Sequence, residues 1–297
     1  MPGAAPSGAA ADVRAAGWRT TRGVLPLDRP RLLGILNVTP DSFWNGGRHA
    51  GLEGAVEHAG RLLEAGADVI DVGGESTRPG ASPVAVADER RRVVPVIREI
   101  VRQWPDALVS VDTVKAEIAE AAIAEGAAII NDVSGLRIDP RLGDVAARTG
   151  AGLIVMHSRG SVETMARYET ANYGPDPVGD IVAELDAALT GARSAGVEDD
   201  AVVVDPGLGF SKRTEHSVAV LAHLDRIAAL GRPILVGPSR KRFVGELAGG
   251  LPAEERLEGT IAACIVALLN GARLFRVHDV AAVRRALDVA EALRTAP

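Results

Sequence analysis

Ala201-Val202-Val203-Val204-Asp205-Pro206-Gly207 is an apolar run that stops abruptly in a polar turn, and a helix-like stretch, 214–229, follows it. The same succession occurs eight times along the chain. The other polar ends are Asn37-Val38-Thr39-Pro40-Asp41-Ser42-Phe43, Glu75-Ser76-Thr77-Arg78-Pro79-Gly80, Ser110-Val111-Asp112-Thr113, Asn131-Asp132, Met156-His157-Ser158-Arg159-Gly160, Ser239-Arg240-Lys241 and Arg276-Val277-His278-Asp279. Eight strand–helix repeats whose chemistry gathers at strand ends predict a single-domain α/β fold, a (β/α)₈ TIM barrel, with its site at the C-terminal ends of the strands.

The predicted strands are 32–37, 69–73, 108–111, 128–131, 152–156, 201–204, 233–237 and 273–277. Continuous apolar runs are what parallel strands covered on both faces require. Helices are predicted at 51–66, 86–102, 114–125, 140–149, 178–195, 214–229, 253–270 and 279–294. Gly66, Gly126 and Gly271 suit left-handed positions after a helix, and Asp279 is placed to cap the last one. Residues two apart on a strand share a face. If Asn37, Asp112, Asn131, Met156, Asp205 and Arg276 line the mouth, then Ile35, Ser110, Ile129, Ile154, Val203 and Leu274 lie below them. Of these only Ser110 is polar, although the opposite parity is also mostly apolar. An open doubly wound sheet would need a Gly-rich fingerprint after its first strand, and that turn lacks one.

The 297 residues fit one barrel of about 250 residues with extensions. Residues 1–30 are expected to form a partly disordered tail and 31–297 the barrel; Met1 to Asp12 has neither the basic start nor the apolar core of a secretory signal. Apolar residues make up 47% and aromatics only 3%, so the core must be aliphatic. The net charge of −6 argues against a general nucleic-acid binder. No apolar stretch is long enough for a membrane span, and the protein is expected in the cytoplasm. Cys264, the only cysteine, reads as a buried small hydrophobe. Lys occurs only at Lys115, Lys212 and Lys241 in an otherwise Arg-based chain.

Arg78, Arg276 and His278, on loops after the second and last strands, would suit a phosphate or pyrophosphate if they converge. Surface ion pairing is the plainer reading of any one of them. Asp112, Asn131, Asp205 and Lys241 could read a heterocycle carrying amino, ring N–H and carbonyl groups. Taken singly, Asp112 and Thr113 could cap a helix, and Asp205 could close a turn with Pro206-Gly207. Asn37 offers a neutral oxygen to Mg²⁺ or a hydrogen bond to a loop. Met156 and Phe210 suit a flat ring or the core. His157 has no nucleophile beside it in sequence and receives no role.

Together, NVTPDSF (37–43), GGESTRPG (73–80), SVDT (110–113), ND (131–132), DPGLGF (205–210), SRK (239–241) and RVHD (276–279) resemble the dihydropteroate synthase family, in its order and over about 31–290. The resemblance implies condensation of 6-hydroxymethyl-7,8-dihydropterin diphosphate with p-aminobenzoate, a reaction of folate biosynthesis. It yields dihydropteroate and pyrophosphate with Mg²⁺ as cofactor, through an SN1-like displacement. It also implies that Asp205, Lys241, Arg276 and His278 act in catalysis. Thr77, Arg78, Asp112, Asn131, Met156, Asp205, Lys241, Arg276 and His278 would hold the pterin diphosphate. Phe43, Pro79, Phe210 and Ser239 would hold p-aminobenzoate, which sulfonamides imitate, and Asn37 would serve the metal. The family is further associated with a homodimer built from barrel helices.

The first loop departs from the family pattern. Trp44-Asn45-Gly46-Gly47 stands where the family usually continues Ser-Asp-Gly-Gly, so a carboxylate is replaced by an amide. Two other functions compete: a pterin-binding methyltransferase domain serving a corrinoid protein, which needs no diphosphate site, and a non-catalytic pterin-binding paralogue.

Overall fold

The computed structural model describes residues 17–38, 48–76 and 83–296. Two short strands come first, β1 (Trp18–Thr20) and β2 (Gly23–Leu25), paired antiparallel. The parallel sheet comprises β3 (Arg31–Asn37), β4 (Val69–Gly73), β5 (Leu108–Asp112), β6 (Ile129–Asp132), β7 (Gly152–Met156), β8 (Val202–Asp205), β9 (Leu235–Val236) and β10 (Leu274–Val277). Its order is β8-β7-β6-β5-β4-β3-β10-β9, and a parallel bridge from Val204 to Ile234 joins the two ends into a barrel.

The helices are α1 (Arg48–Glu64), α2 (Val86–Gln103), α3 (Ala116–Ala124), α4 (Arg141–Thr149), α5 (Pro177–Ser194), α6 (Thr214–Ala222), α7 (Leu224–Ala228), α8 (Arg242–Leu247), α9 (Leu257–Leu269) and α10 (Val280–Thr295). Two departures from the expected pattern matter. The helix expected over 214–229 breaks at His223, whose backbone leaves the helical region. A short helix not predicted, α8, starts directly after Lys241. Gly66, Gly126 and Gly271 are left-handed as the pattern required. Asp279 does not cap α10 with its side chain; its carboxylate pairs with Arg240 instead.

Strand parity resolves as the first alternative. Ile129, Ile154, Val203 and Leu274 join Leu33, Val69 and Leu235 in one buried cluster inside the barrel. The alternate residues, among them Ile70, Val111, Ile130, Val155 and Val204, pack outward in the larger cluster shared with the helices. Each buried aliphatic side chain contributes about 1.5–3 kcal/mol, so this two-layer arrangement fixes strand register as well as fold. Ser110 pairs in register with Asp71 of β4, so the polar layer simply reaches deeper on these two strands.

Residues 17–30 are not a tail. Trp18 is fully buried with Leu25 and Leu27 in the inner cluster. Its indole Nε1 donates to the Ala201 carbonyl at 2.8 Å. The ring lies against Gly152, where a Cβ would come within 3.1 Å of it. Arg273 donates to the carbonyls of Leu27 and Asp28. The hairpin therefore closes the barrel at the end opposite the strand termini that carry the chemistry.

Candidate active site

β3 to β10 bring the predicted polar residues to one opening. Asp112 ends β5, Asn131 lies on β6, Met156 ends β7, Asp205 ends β8 and Arg276 lies on β10. Lys241 comes from the turn that follows β9, immediately before α8. Asn131, Met156, Asp205, Phe210, Lys241 and Arg276 line one narrow pocket. Asn37 is half-buried at the end of β3. A larger cavity of about 340 Å³ lies between the loop after β6 and α5. It is mainly apolar and does not hold this constellation, so the narrow pocket is the chemical centre.

Arg276 sits on the strand itself, inside the range predicted for the last strand, and points into the barrel. Its Nε donates to Asp71 Oδ2 at 2.6 Å and its terminal nitrogen to Asp112 Oδ2 at 2.6 Å. Burial opposes this charge, but the two carboxylates outweigh it and hold the guanidinium firmly protonated. Asn131 donates to Asp71 at 3.2 Å. Asp71 is fully buried and was missed by sequence reasoning. Its signal was a lone carboxylate inside the apolar run Val69-Ile70-Asp71-Val72-Gly73, on the inward parity.

Burial pushes Asp112 up to about 7, with Asp71, Glu89 and Glu75 adding repulsion and Arg276 opposing it. Burial pushes Asp205 up to about 6, against the Gly207 N–H and the charge of Lys241. That N–H donates to Asp205 Oδ1 at 2.7 Å, so Asp205 both closes the expected turn and faces the pocket. Lys241 is drawn down to about 7 by burial and then by Arg276. Its ammonium lies 3.5 Å from the centre of the Phe210 ring. A carboxylate and an ammonium poised near neutrality can each exchange hydrogen-bonding roles with a polar ring at little cost.

Ser239 and His278 form a second unit. The His278 backbone N–H donates to Ser239 Oγ at 3.2 Å, and Oγ lies 3.0 Å from His278 Nδ1. The hydroxyl can donate to Nδ1 or accept from it, according to the imidazole tautomer. Burial, then Arg276 and Arg240, push His278 down to about 3, so it is neutral. Phe43, Thr77, Arg78 and Pro79 lie outside the described residues, as does Trp44-Asn45.

A barrel that gathers these groups at its mouth matches a known family: the model of the pterin binding enzymes aligns with residues 33–278. The chain belongs to that family. A relative from Synechocystis, a dihydropteroate synthase, is 41% identical over 265 residues, covering 89% of this chain and 90% of its own. A Xanthomonas albilineans dihydropteroate synthase solved with 4-aminobenzoic acid superposes with a TM-score of 0.86 at 45% identity, over 95% of this chain and 100% of that one. The same organism's enzyme in complex with 7,8-dihydropteroate gives 0.80 at 41% identity, over 92% and 96%.

Proposed function

We infer that this chain is a dihydropteroate synthase. It joins the amine of p-aminobenzoate to the methylene carbon of 6-hydroxymethyl-7,8-dihydropterin diphosphate and releases pyrophosphate, a step of folate biosynthesis. The observation that carries the reading is the convergence of Asp112, Asn131, Asp205 and Lys241 with Arg276 and His278 at one barrel mouth. Its relatives bind p-aminobenzoate and dihydropteroate in the same fold.

In this reading Asp205 and Asp112 accept from pterin N–H groups, and Lys241 donates to a ring acceptor. Met156 and Phe210, in one apolar cluster, supply the walls for the two flat rings. The aryl amine is a weak nucleophile, so the barrier falls chiefly through help to the leaving group. Arg276, held by Asp71 and Asp112, and the neutral imidazole of His278 stand ready for its oxygens. The C–O bond breaks ahead of C–N bond formation, the electron-rich pterin carries the positive charge, and the amine proton leaves with solvent or pyrophosphate. No strong general base is needed.

The donor set fits Mg²⁺ as a companion of the substrate. Asn37 offers one neutral oxygen, and no group of three or more His, Cys, Asp or Glu forms a cage among the described residues. That is the pattern of an ion that keeps waters and shares phosphate oxygens. When bound, it would neutralise charge on the leaving diphosphate.

A homodimer is proposed through α9 and α10, where Val266, Leu269, Val289 and Leu293 are exposed. No described helix is long and apolar enough to cross a membrane, and a cytoplasmic setting, where the diphosphate substrate would be made, is proposed with the reaction. The test is pyrophosphate release from Mg²⁺ and pterin diphosphate with and without p-aminobenzoate. Release that depends on p-aminobenzoate and yields dihydropteroate supports the synthase. Pterin binding without product would instead favour a non-catalytic or methyl-transferring relative.

A further inference from the structure

In a chain with 33 Lys and Arg residues, lysine is kept at only three positions. Lys241 belongs to the site, and Lys115 pairs with Glu75 and Glu89 beside it. Lys212 has no place in the mechanism above, yet its exposure is only 1%. A buried ammonium persists only where its donors are taken up. Its Nζ lies 2.7 Å from His157 Nδ1 and donates to the Phe210 carbonyl at 3.1 Å.

These bonds open a closed circuit behind the pocket wall. His157 accepts from Lys212 on Nδ1, so its proton is on Nε2, which faces Glu184 Oε2 at 3.0 Å. Glu184 also accepts from Arg159 Nε at 3.0 Å, and the Arg159 guanidinium lies 4.1 Å from the centre of the Tyr173 ring. The Tyr173 hydroxyl donates to the Ser211 carbonyl at 2.8 Å, which returns the circuit to the neighbour of Lys212. Burial and the adjacent ammonium push His157 down to about 4, so it stays neutral between Glu184 and Lys212, which burial itself draws down to about 7.

The circuit surrounds a turn that is also held by Phe210 N–H to the Gly207 carbonyl, Ser211 N–H to the Met165 carbonyl and the Ser211 hydroxyl to the Arg159 carbonyl. Ser211 has φ +49°, a left-handed conformation that a non-glycine residue adopts only at a cost. It follows Gly207 and Gly209, both also left-handed. The turn directs Phe210 towards Lys241, whose ammonium rests on its ring. The flexible stem carries a compact ammonium that reaches both His157 and the Phe210 carbonyl, a point-like donor that a planar guanidinium does not reproduce.

We propose that Lys212 is a positioning residue for the second substrate: by holding the Phe210 carbonyl and His157 together it fixes the Phe210 ring, and so sets the affinity for p-aminobenzoate without touching either substrate. The proposal rests on the synthase reading and on Phe210 serving the aryl side. Among the influences on Asp205, Lys212 ranks behind the Gly207 N–H and Lys241, so pterin recognition should be largely spared.

The test is steady-state kinetics of the full-length chain with Mg²⁺, both substrates varied, for Lys212→Met, Phe210→Ala and the double variant. Lys212→Met should raise KM for p-aminobenzoate roughly tenfold, the consequence of losing a charged hydrogen bond, and change calorimetric pterin affinity less than about twofold. In the Phe210→Ala background the same substitution should add less than about twofold, because coupled residues are not additive. His157→Asn keeps an acceptor near Nδ1 but loses the link to Glu184. It should move KM for p-aminobenzoate in the same direction by a smaller factor, and its own cycle with Phe210→Ala serves if Lys212→Met does not fold. Equal losses for both substrates, or full additivity with Phe210→Ala, would overturn the proposal. Failure of the wild-type chain to make product would sink the synthase reading itself, a result visible before any variant is compared.

Discussion

Replacing Arg276 with methionine removes the guanidinium from between Asp71 and Asp112 while keeping much of its length. Both ion pairs are 2.6 Å long, with side-chain exposures of 20% for Arg276, 0% for Asp71 and 12% for Asp112. Stripping the partner from a buried pair costs about 3–5 kcal/mol. Here the loss is smaller near neutrality, because Asp112 already sits at about 7 and takes up a proton readily; about 2–4 kcal/mol remains. With an unfolding entropy of about 2.1 cal/mol/K per residue over 297 residues, this lowers Tm by about 3–6 °C. The sign with pH follows from Asp112. Its folded value is already above 3.8 and rises further once Arg276 is gone, so the folded variant binds the extra proton as pH falls. The penalty relative to wild type is therefore full in alkali and fades towards acid. Calorimetric melts at about pH 5.5 and pH 8.5 read this directly. Adding Asp71→Asn should recover part of the alkaline loss by removing one of the stranded charges. A Tm drop of equal size at both pH values, or none at either, would refute the reasoning.

Other consequences are open to simpler measurements. Asp205→Asn still accepts from the Gly207 N–H but loses its charge, so the fold should persist while calorimetric pterin affinity weakens about 10–150-fold, the value of a charged hydrogen bond. The Asp205 carboxylate is lost as pH falls through about 6 and the Lys241 ammonium as pH rises through about 7. Corrected for substrate ionisation, kcat/KM for the pterin diphosphate should thus be a narrow bell, and Lys241→Arg should flatten its alkaline side; a flat profile would contradict both assignments. Trp18→Ala empties the fully buried site at the bottom of the barrel, at a cost of about 3–5 kcal/mol, or about 5–8 °C in Tm. Activity well below that Tm should stay within about twofold, since the hairpin and the mouth lie at opposite ends; a selective loss of activity would mean that the two ends communicate.

The barrel was legible because parallel strands covered on both faces leave long apolar runs, and chemistry can appear only where those runs stop. Parity was not legible, since outward residues such as Ile130 and Val204 are as apolar as the inward Ile129 and Val203. Asp71 escaped because it is not at a strand end. It lies one inward position below Gly73, where Arg276 reaches down to meet it. The Lys212–His157 contact joins positions 55 apart, on loops that become neighbours only when β7 and β8 pair. The hairpin was hidden by its brevity: two strands of three residues are too short to show a period of their own. Its order comes from what Trp18 meets at Gly152 and Ala201.

That hairpin is made before every strand of the barrel, yet it is among the last segments that can settle. The arginine that clasps the Leu27 carbonyl is translated 246 positions later. At about 5–20 residues per second this is a wait of roughly 12–50 s. The indole meets Gly152 and Ala201 earlier, but the clasp on the Leu27 carbonyl waits for the whole interval. Full docking of the N-terminal strands therefore waits until all but the last strand and the last helix of the barrel have been made.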